Sequence, residues 1–376
     1  MRRSLKIGSG LLGMALLGTA VAQAADTKWY DAITASGYGQ ASYVGNLENS
    51  PNNPGNQGRQ FDTNGNSFNF NTFLLQIAKP VGDDHFGFTT RLRMGQDAQI
   101  VSPGGAAFWV QEAYLTYVLP NLTKLSLIGG KFTTPEGFEV VDTVSNPNFS
   151  EGLLFTYAEP ITHTGLKANY VFSDMVNATL GVVNGWDSAP DNNIAKTLLW
   201  QVATVPLKGA AWTFQGLYGR ETGDLNANAN TDHSKRLSLD TVLSYTMGKL
   251  TVAGQGNWGE QSNDANTTNS DGTTHWTGFG LWASFALSDK FTESARFEIL
   301  DDQNNANRFG APVFADGTSN QTVKEFTLTH KTMLTSAMGT RLEWRHDWSN
   351  QAYFVKSDGA GAKDQNTISV DWFVTF

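Results

Sequence analysis

The chain ends Asn366-Thr-Ile-Ser-Val-Asp-Trp-Phe-Val-Thr-Phe376, and these residues decide the fold. Counting back by twos from the end gives Phe376, Val374, Trp372, Val370 and Ile368, all apolar. Between them stand Thr375, Phe373, Asp371, Ser369 and Thr367, all polar but Phe373. Side chains alternate across a strand, so one face of this segment is oily and the other wet. A soluble sheet could use such a strand over a core. An aromatic as the final residue fits better with the closing strand of an outer-membrane barrel, whose oily face meets lipid and whose polar face meets water.

Outward from that strand, the composition agrees. The 376 residues include 23 Phe, 11 Trp, 10 Tyr and 38 Gly, with 16% charged residues and no Cys. The absence of Cys removes a lipoprotein anchor, thiolate metal sites and a disulfide framework. Arg2, Arg3 and Lys6 precede an apolar, small-residue run and Ala22-Gln23-Ala24, which reads as a cleavable secretory signal over 1–24, with a mature domain over 25–376. The run is short and Gly-rich for a membrane anchor. A twin-arginine route is rejected, because it carries folded cargo. After residue 24 no apolar run approaches the ~20 residues that a membrane helix needs. The leader holds three of the 26 basic residues, so the mature chain sets 23 basic residues against 35 acidic ones, a net −12. That balance excludes a basic nucleic-acid footprint.

The two-residue period recurs from residue 33 onward, with long polar connections alternating with short turns. Residues 67–78 keep it with a phase change near Thr72 that suggests a bulge. Trp109, Ala113, Leu115 and Tyr117 read as one oily face. Turns at 80–84, 120–123, 173–175, 206, 248–249, 288–290 and near 335 alternate with loops rich in Asn, Asp, Gly and Ser. The count is about sixteen antiparallel strands; fourteen and eighteen stay open, since residues 151–157 could supply a further segment. An even count puts both termini and the short turns on the periplasmic side and the long loops outside. Closure satisfies every backbone group in lipid, and about sixteen strands enclose an aqueous channel.

The longest connection, 134–162, contains Glu136, Glu139, Asp142, Glu151 and Glu159 and no Lys or Arg. Arg91, Arg93, Lys167, Arg236, Arg296, Arg341 and Arg345 fall at positions read as lumen-facing. If the connection folds inward, its acids face a basic wall and form a pore constriction with a transverse field. The competing reading folds it over the mouth and pairs the wall arginines with Glu298 and Glu343. His163, Asp187, Asp191 and Asn192 tempt toward metal or catalysis; a hydrogen-bonding His and a solvated loop are the simpler readings. Trp344, Trp348, Trp372 and Phe376 read as girdle aromatics, although some Trp could stack sugars.

Five ordered motifs, 66–73 (NSFNFNTF), 130–139 (GKFTTPEGFE), 160–165 (PITHTG), 181–187 (GVVNGWD) and 345–350 (RHDWSN), resemble the OmpL-like family of β-barrel porins. The resemblance spans nearly all the mature chain. It implies a Gram-negative outer-membrane porin that passes small hydrophilic solutes and ions by passive diffusion, and it carries over no catalytic residue. The end of the chain, with Trp372, Val374 and Phe376, also resembles the signal by which barrel-assembly machinery and periplasmic chaperones recognise their clients.

The expectation is therefore a transport protein of the outer membrane, surrounded by lipid and lipopolysaccharide, without cofactor, metal or nucleic acid, and compatible with a homo-oligomer. A mild cation preference follows from the acids of segment 134–162. Two other classes stay in view: a barrel-type outer-membrane hydrolase, for which no Ser/His/Asp set, G-x-S-x-G or H-E-x-x-H is discernible, and an adhesive or structural barrel acting through its external loops.

Overall fold

The computed structural model describes residues 28–48, 55–191, 193–221, 235–262, 273–303 and 320–376. The expected leader, 1–24, lies outside them. In chain order the strands are β1 Thr34–Asn46, β2 Ser67–Lys79, β3 Phe86–Met94, β4 Phe108–Leu119, β5 Leu122–Thr133 and β6 Thr162–Ser173. There follow β7 Val176–Val183, β8 Thr197–Thr204, β9 Ala210–Arg220, β10 Lys235–Met247, β11 Leu250–Gln261 and β12 Thr274–Ala286. The last are β13 Phe291–Gln303, β14 Gln321–Met333, β15 Met338–Ser349, β16 Phe354–Val355, β17 Gly361–Ala362 and β18 Asp364–Thr375.

Sixteen of these close into one antiparallel barrel, each beside its sequence neighbours, with β18 sealing against β1; β16 and β17 form a separate hairpin. The seam pairs Tyr38 with Thr375 and runs to Asn46 with Thr367. The period of two sets the faces. On β18, Ile368, Trp372 and Val374 are exposed outward, while Gln365, Thr367, Ser369 and Asp371 are buried inward. Trp344 and Phe376 also face out. In lipid this belt needs no partner, whereas the polar inner face needs water or protein.

Two bulges re-aim side chains into the lumen. The register of β1 with β2 slips between Gln40 and Ala41, opposite Thr72 and Phe70, where the sequence shows its phase change. The register of β3 with β4 slips between Arg91 and Leu92, opposite Glu112 and Val110. The extra residue, Gln111, turns Trp109 inward, where it is buried; Trp109 therefore leaves the oily face expected for it, and Leu115 and Tyr117 keep it.

Segment 134–162 enters the barrel. It contains a 3-10 turn, Thr143–Ser145, and a single π-type turn, Leu154–Ala158, so residues 151–157 add no strand. Leu153, Leu154 and Ala158 pack on Trp276, Trp282, Leu300, Tyr353 and Phe354. Val141 and Phe155 pack on Phe61, Ala98 and Trp109. The inserted segment thus buries apolar side chains at two places in the interior and leaves an opening beside residues 133–147.

Candidate functional site

The inward ladder of β15 reads Arg341, Glu343, Arg345, Asp347, one charged side chain every second residue, all buried. Such charges require hydrogen-bonded partners, and the backbone of the inserted segment supplies many of them. Arg341 Nη1 donates to the carbonyls of Thr143 (2.9 Å), Asn146 (3.2 Å) and Asn148 (2.8 Å), while its Nη2 grips Asp371 of β18 at 2.8 Å. Glu343 accepts from the N–H groups of Phe149 (2.6 Å) and Ser150 (3.0 Å) and from the Ser150 hydroxyl (2.6 Å). Arg345 donates to the Glu151 carbonyl at 2.6 Å. On β13, Arg296 donates to the Ser150 carbonyl, and Glu298 accepts from the N–H groups of Leu153 and Leu154. Glu298 and Glu343 thus bind segment amides; the arginine pairing that the mouth-covering reading gave them does not form.

The segment's acids are distributed among separate partners. Asp142 pairs with Arg91 and, at 2.9 Å, with Arg93, and accepts from Gln111 at 3.1 Å. Burial pushes its carboxyl up, but the two guanidinium groups outweigh that and hold it below the usual range. Arg93 also donates to Gln111 (2.9 Å) and Thr72 (3.0 Å), so both bulges converge on one arginine. Glu139 pairs with Arg296 at 2.6 Å and accepts from Gly152 N–H at 2.6 Å. Glu136 accepts from the Ser238 hydroxyl at 2.9 Å. Burial, then the nearby Asp240, pushes the carboxyls of Glu136 and Glu159 well above the ordinary value. Glu151 is buried, and its carboxyl is raised by that burial and by Glu139. Gly137 makes this crowding feasible: its φ is +91°, and a Cβ there would lie 1.8 Å from Glu159 Oε2.

Two basic residues of the expected constriction stand apart from these pairs. Arg236 donates to Gln261 at 2.7 Å and lies 4.9 Å from the Trp186 ring. Lys167 sits 4.0 Å from the Phe132 ring centroid. An opening of about 640 Å³ remains between residues 133–147 and the wall of β2–β6 and β8–β10; Arg91, Glu112, Tyr114, Lys167, Gln201 and Thr213 lie on its wall side. The simpler readings hold elsewhere. His163 bonds the Gly185 carbonyl (3.0 Å) and the Thr134 hydroxyl (3.3 Å). Asp187 lies exposed at the loop and accepts from the N–H groups of Ile161 (2.7 Å) and Thr162 (2.8 Å). Asp191 pairs with Lys196, and Asn192 lies outside the described residues.

Sequence reasoning misses three partners. Arg59, in the Asn- and Gly-rich loop after β1, reaches Asp347 at 2.7 Å. Asp371 is visible on the wet face of β18, but its match to Arg341 requires the β15–β18 register. Glu325 pairs with Arg296 at 2.9 Å from the neighbouring strand. Inward parity could identify the last two as lumen residues; nothing local marks Arg59.

The family model described as "Putative beta-barrel porin-2, OmpL-like" matches residues 32–376. Among solved structures, an anion-selective porin from Comamonas acidovorans superposes with a TM-score of 0.62 at 10% identity, covering 92% of this chain and 99% of that one. The outer membrane channel DcaP of Acinetobacter baumannii gives 0.61 at 12%, covering 92% and 97%. The trimer form of OmpT, an outer membrane protein of Vibrio cholerae, gives 0.60 at 12%, covering 92% and 99%. At these identities the structures speak for the fold. No curated protein matches the sequence.

Proposed function

The chain belongs to the OmpL-like β-barrel porin family and forms a passive outer-membrane channel, and we propose that segment 134–162 sets its constriction. One observation carries this: the backbone of residues 143–154 is fastened to β13 and β15 by buried charged side chains, leaving the opening beside Arg91 and Lys167. Solutes then pass between the segment and the wall of β2–β10. Glu136, Glu139, Asp142, Arg91 and Lys167 border the path; Arg93, Arg296, Arg341, Arg345 and Glu151 hold the segment in place, and Arg236 stands at the loop end of β10.

Because Asp142 and Glu139 are compensated by arginines, the cation preference expected from the segment's acids is weak. Short turns face the periplasm and long loops the exterior, after export under a signal peptide over 1–24 and insertion directed by Trp372, Val374 and Phe376. The trimer form of Vibrio cholerae OmpT supports a homo-oligomer here. Conductance of the purified protein in a planar bilayer tests the reading. Stable ohmic steps are expected; a folded but silent barrel would return the hydrolase and adhesin readings to the front.

A further inference from the structure

We propose that the opening beside the inserted segment contains a binding subsite for small organic monocarboxylates, anchored by the Lys167 ammonium. The subsite rests on the permeation path proposed above and gives it a preferred solute class.

Lys167 projects inward from β6, opposite Ile128 of β5 and Gly181 of β7. Gly181 has no side chain to cover it; a Cβ there would stand 3.0 Å from the Lys167 Cβ. The ammonium rests over the Phe132 ring at 4.0 Å. Among the described residues, no carboxylate, carbonyl or hydroxyl forms an ion pair or hydrogen bond with it.

Every other charge bordering the opening has a protein partner. Arg91 pairs with Glu112 (3.3 Å) and with Asp142. Glu112 also accepts from the N–H and hydroxyl of Thr133, each at 3.0 Å. Glu139 is held by Arg296, and Glu136 by the Ser238 hydroxyl. The Glu112 carboxylate attracts this ammonium only at longer range, and a partly desolvated ammonium without a directly bonded counter-ion is costly, so an incoming anion supplies the missing partner. Cation–π contact with Phe132 keeps the group aimed at the lumen without satisfying its three donors.

The rest of the surface selects the body of the solute. Ile128, paired with Lys167, and Phe132, under its ammonium, give the opening apolar surface beside Lys167, and Pro135, Phe138 and Val242 add to its apolar lining. Gln201 is already occupied in donating to the Pro135 carbonyl at 3.2 Å. A carboxylate with a short apolar body uses both features. An inorganic anion uses only the charge, and an amine meets Lys167 and Arg91 with the wrong sign.

The test adds benzoate, benzylamine, benzyl alcohol or inorganic phosphate to the full-length protein conducting KCl in a planar bilayer. Benzoate is expected to interrupt the current at a concentration roughly five- to tenfold lower than the other three, the scale of one charge-assisted hydrogen bond at a half-wet site. Lys167→Gln should remove that advantage, with block read relative to the variant's own open current, and Lys167→Arg should keep it. Equal block by benzoate and benzyl alcohol, or undiminished benzoate block in Lys167→Gln, would overturn the subsite. Phosphate blocking as strongly as benzoate would overturn the assignment to an organic anion. Absence of KCl steps in the unsubstituted protein would instead remove the permeation path, and the subsite with it.

Discussion

Asp142 shows what a residue can and cannot disclose before folding. Its charge, and its company of uncompensated acids between residues 134 and 162, are plain in the sequence. Its partners Arg91 and Arg93 are some fifty positions away, and reach it only because the segment turns inward. Changing Glu136, Glu139 and Asp142 to Gln, Gln and Asn leaves Arg91, Arg93 and Arg296 without those counter-charges. The zero-current potential in a salt gradient is then expected to move toward anions. An unmoved potential would place the segment outside the path. Alkali should act on a different pair. Glu136 and Glu159 have folded values raised by burial and Asp240. Their contribution to stability is full below the unfolded carboxylate value of about 4.3 and is lost as pH rises through the raised folded values. Rising pH therefore ionises both beside Asp240 and loosens the root of the segment. Open-channel current noise should grow with pH in the unsubstituted protein, and the growth should flatten in Glu136→Gln/Glu159→Gln. Equal noise growth in both proteins would sink this account.

Elements were more legible than contacts. The period of two, broken by turn residues, is a local property, and it suffices to count strands and assign their faces. It failed at Trp109, where the extra residue Gln111 shifts the phase by one, because the bulge in β4 sets Gln111 beside Arg93 of the neighbouring strand, a pairing no local period announces. The inserted segment has no periodicity of its own to read; its path is imposed by the charges of β13 and β15. Glu343→Ala removes an acceptor shared by Phe149, Ser150 and Thr329. Leaving such buried donors unpaired costs about 1–3 kcal/mol each. The backbone ladder of the barrel is untouched, so a heat-modifiable barrel should persist while single-channel conductance rises and flickers. A conductance identical to that of the unsubstituted protein would show that Glu343 is dispensable to the anchorage, which Arg341, Arg345, Arg296 and Glu298 would then maintain.

At the scale of the molecule, Phe376 extends the β1–β18 seam that closes the barrel by one further pair. Phe376 N–H donates to the Gly37 carbonyl at 3.0 Å, Gly37 N–H donates to the Phe376 carbonyl at 2.9 Å, and the Phe376 ring stacks on Phe73 at 5.8 Å. Deleting Phe376 should lower the amount of heat-modifiable barrel in the outer membrane and leave the conductance of the molecules that do insert unchanged. Normal barrel yield after the deletion would contradict this. The closed barrel was legible because lipid demands it at every strand; the half-filled lumen was legible only as one of two paths for segment 134–162, since its partners lie far apart in the chain. One consequence concerns descent. The side chains of Arg341, Glu343, Arg345 and Glu298 grasp carbonyls and N–H groups that almost any residue at 143–154 would offer. Proline at 149, 150, 153 or 154 is the exception, since it lacks the N–H. Ser145 and Pro147, which border the opening, can therefore drift under selection for a new solute while the anchorage is inherited unchanged.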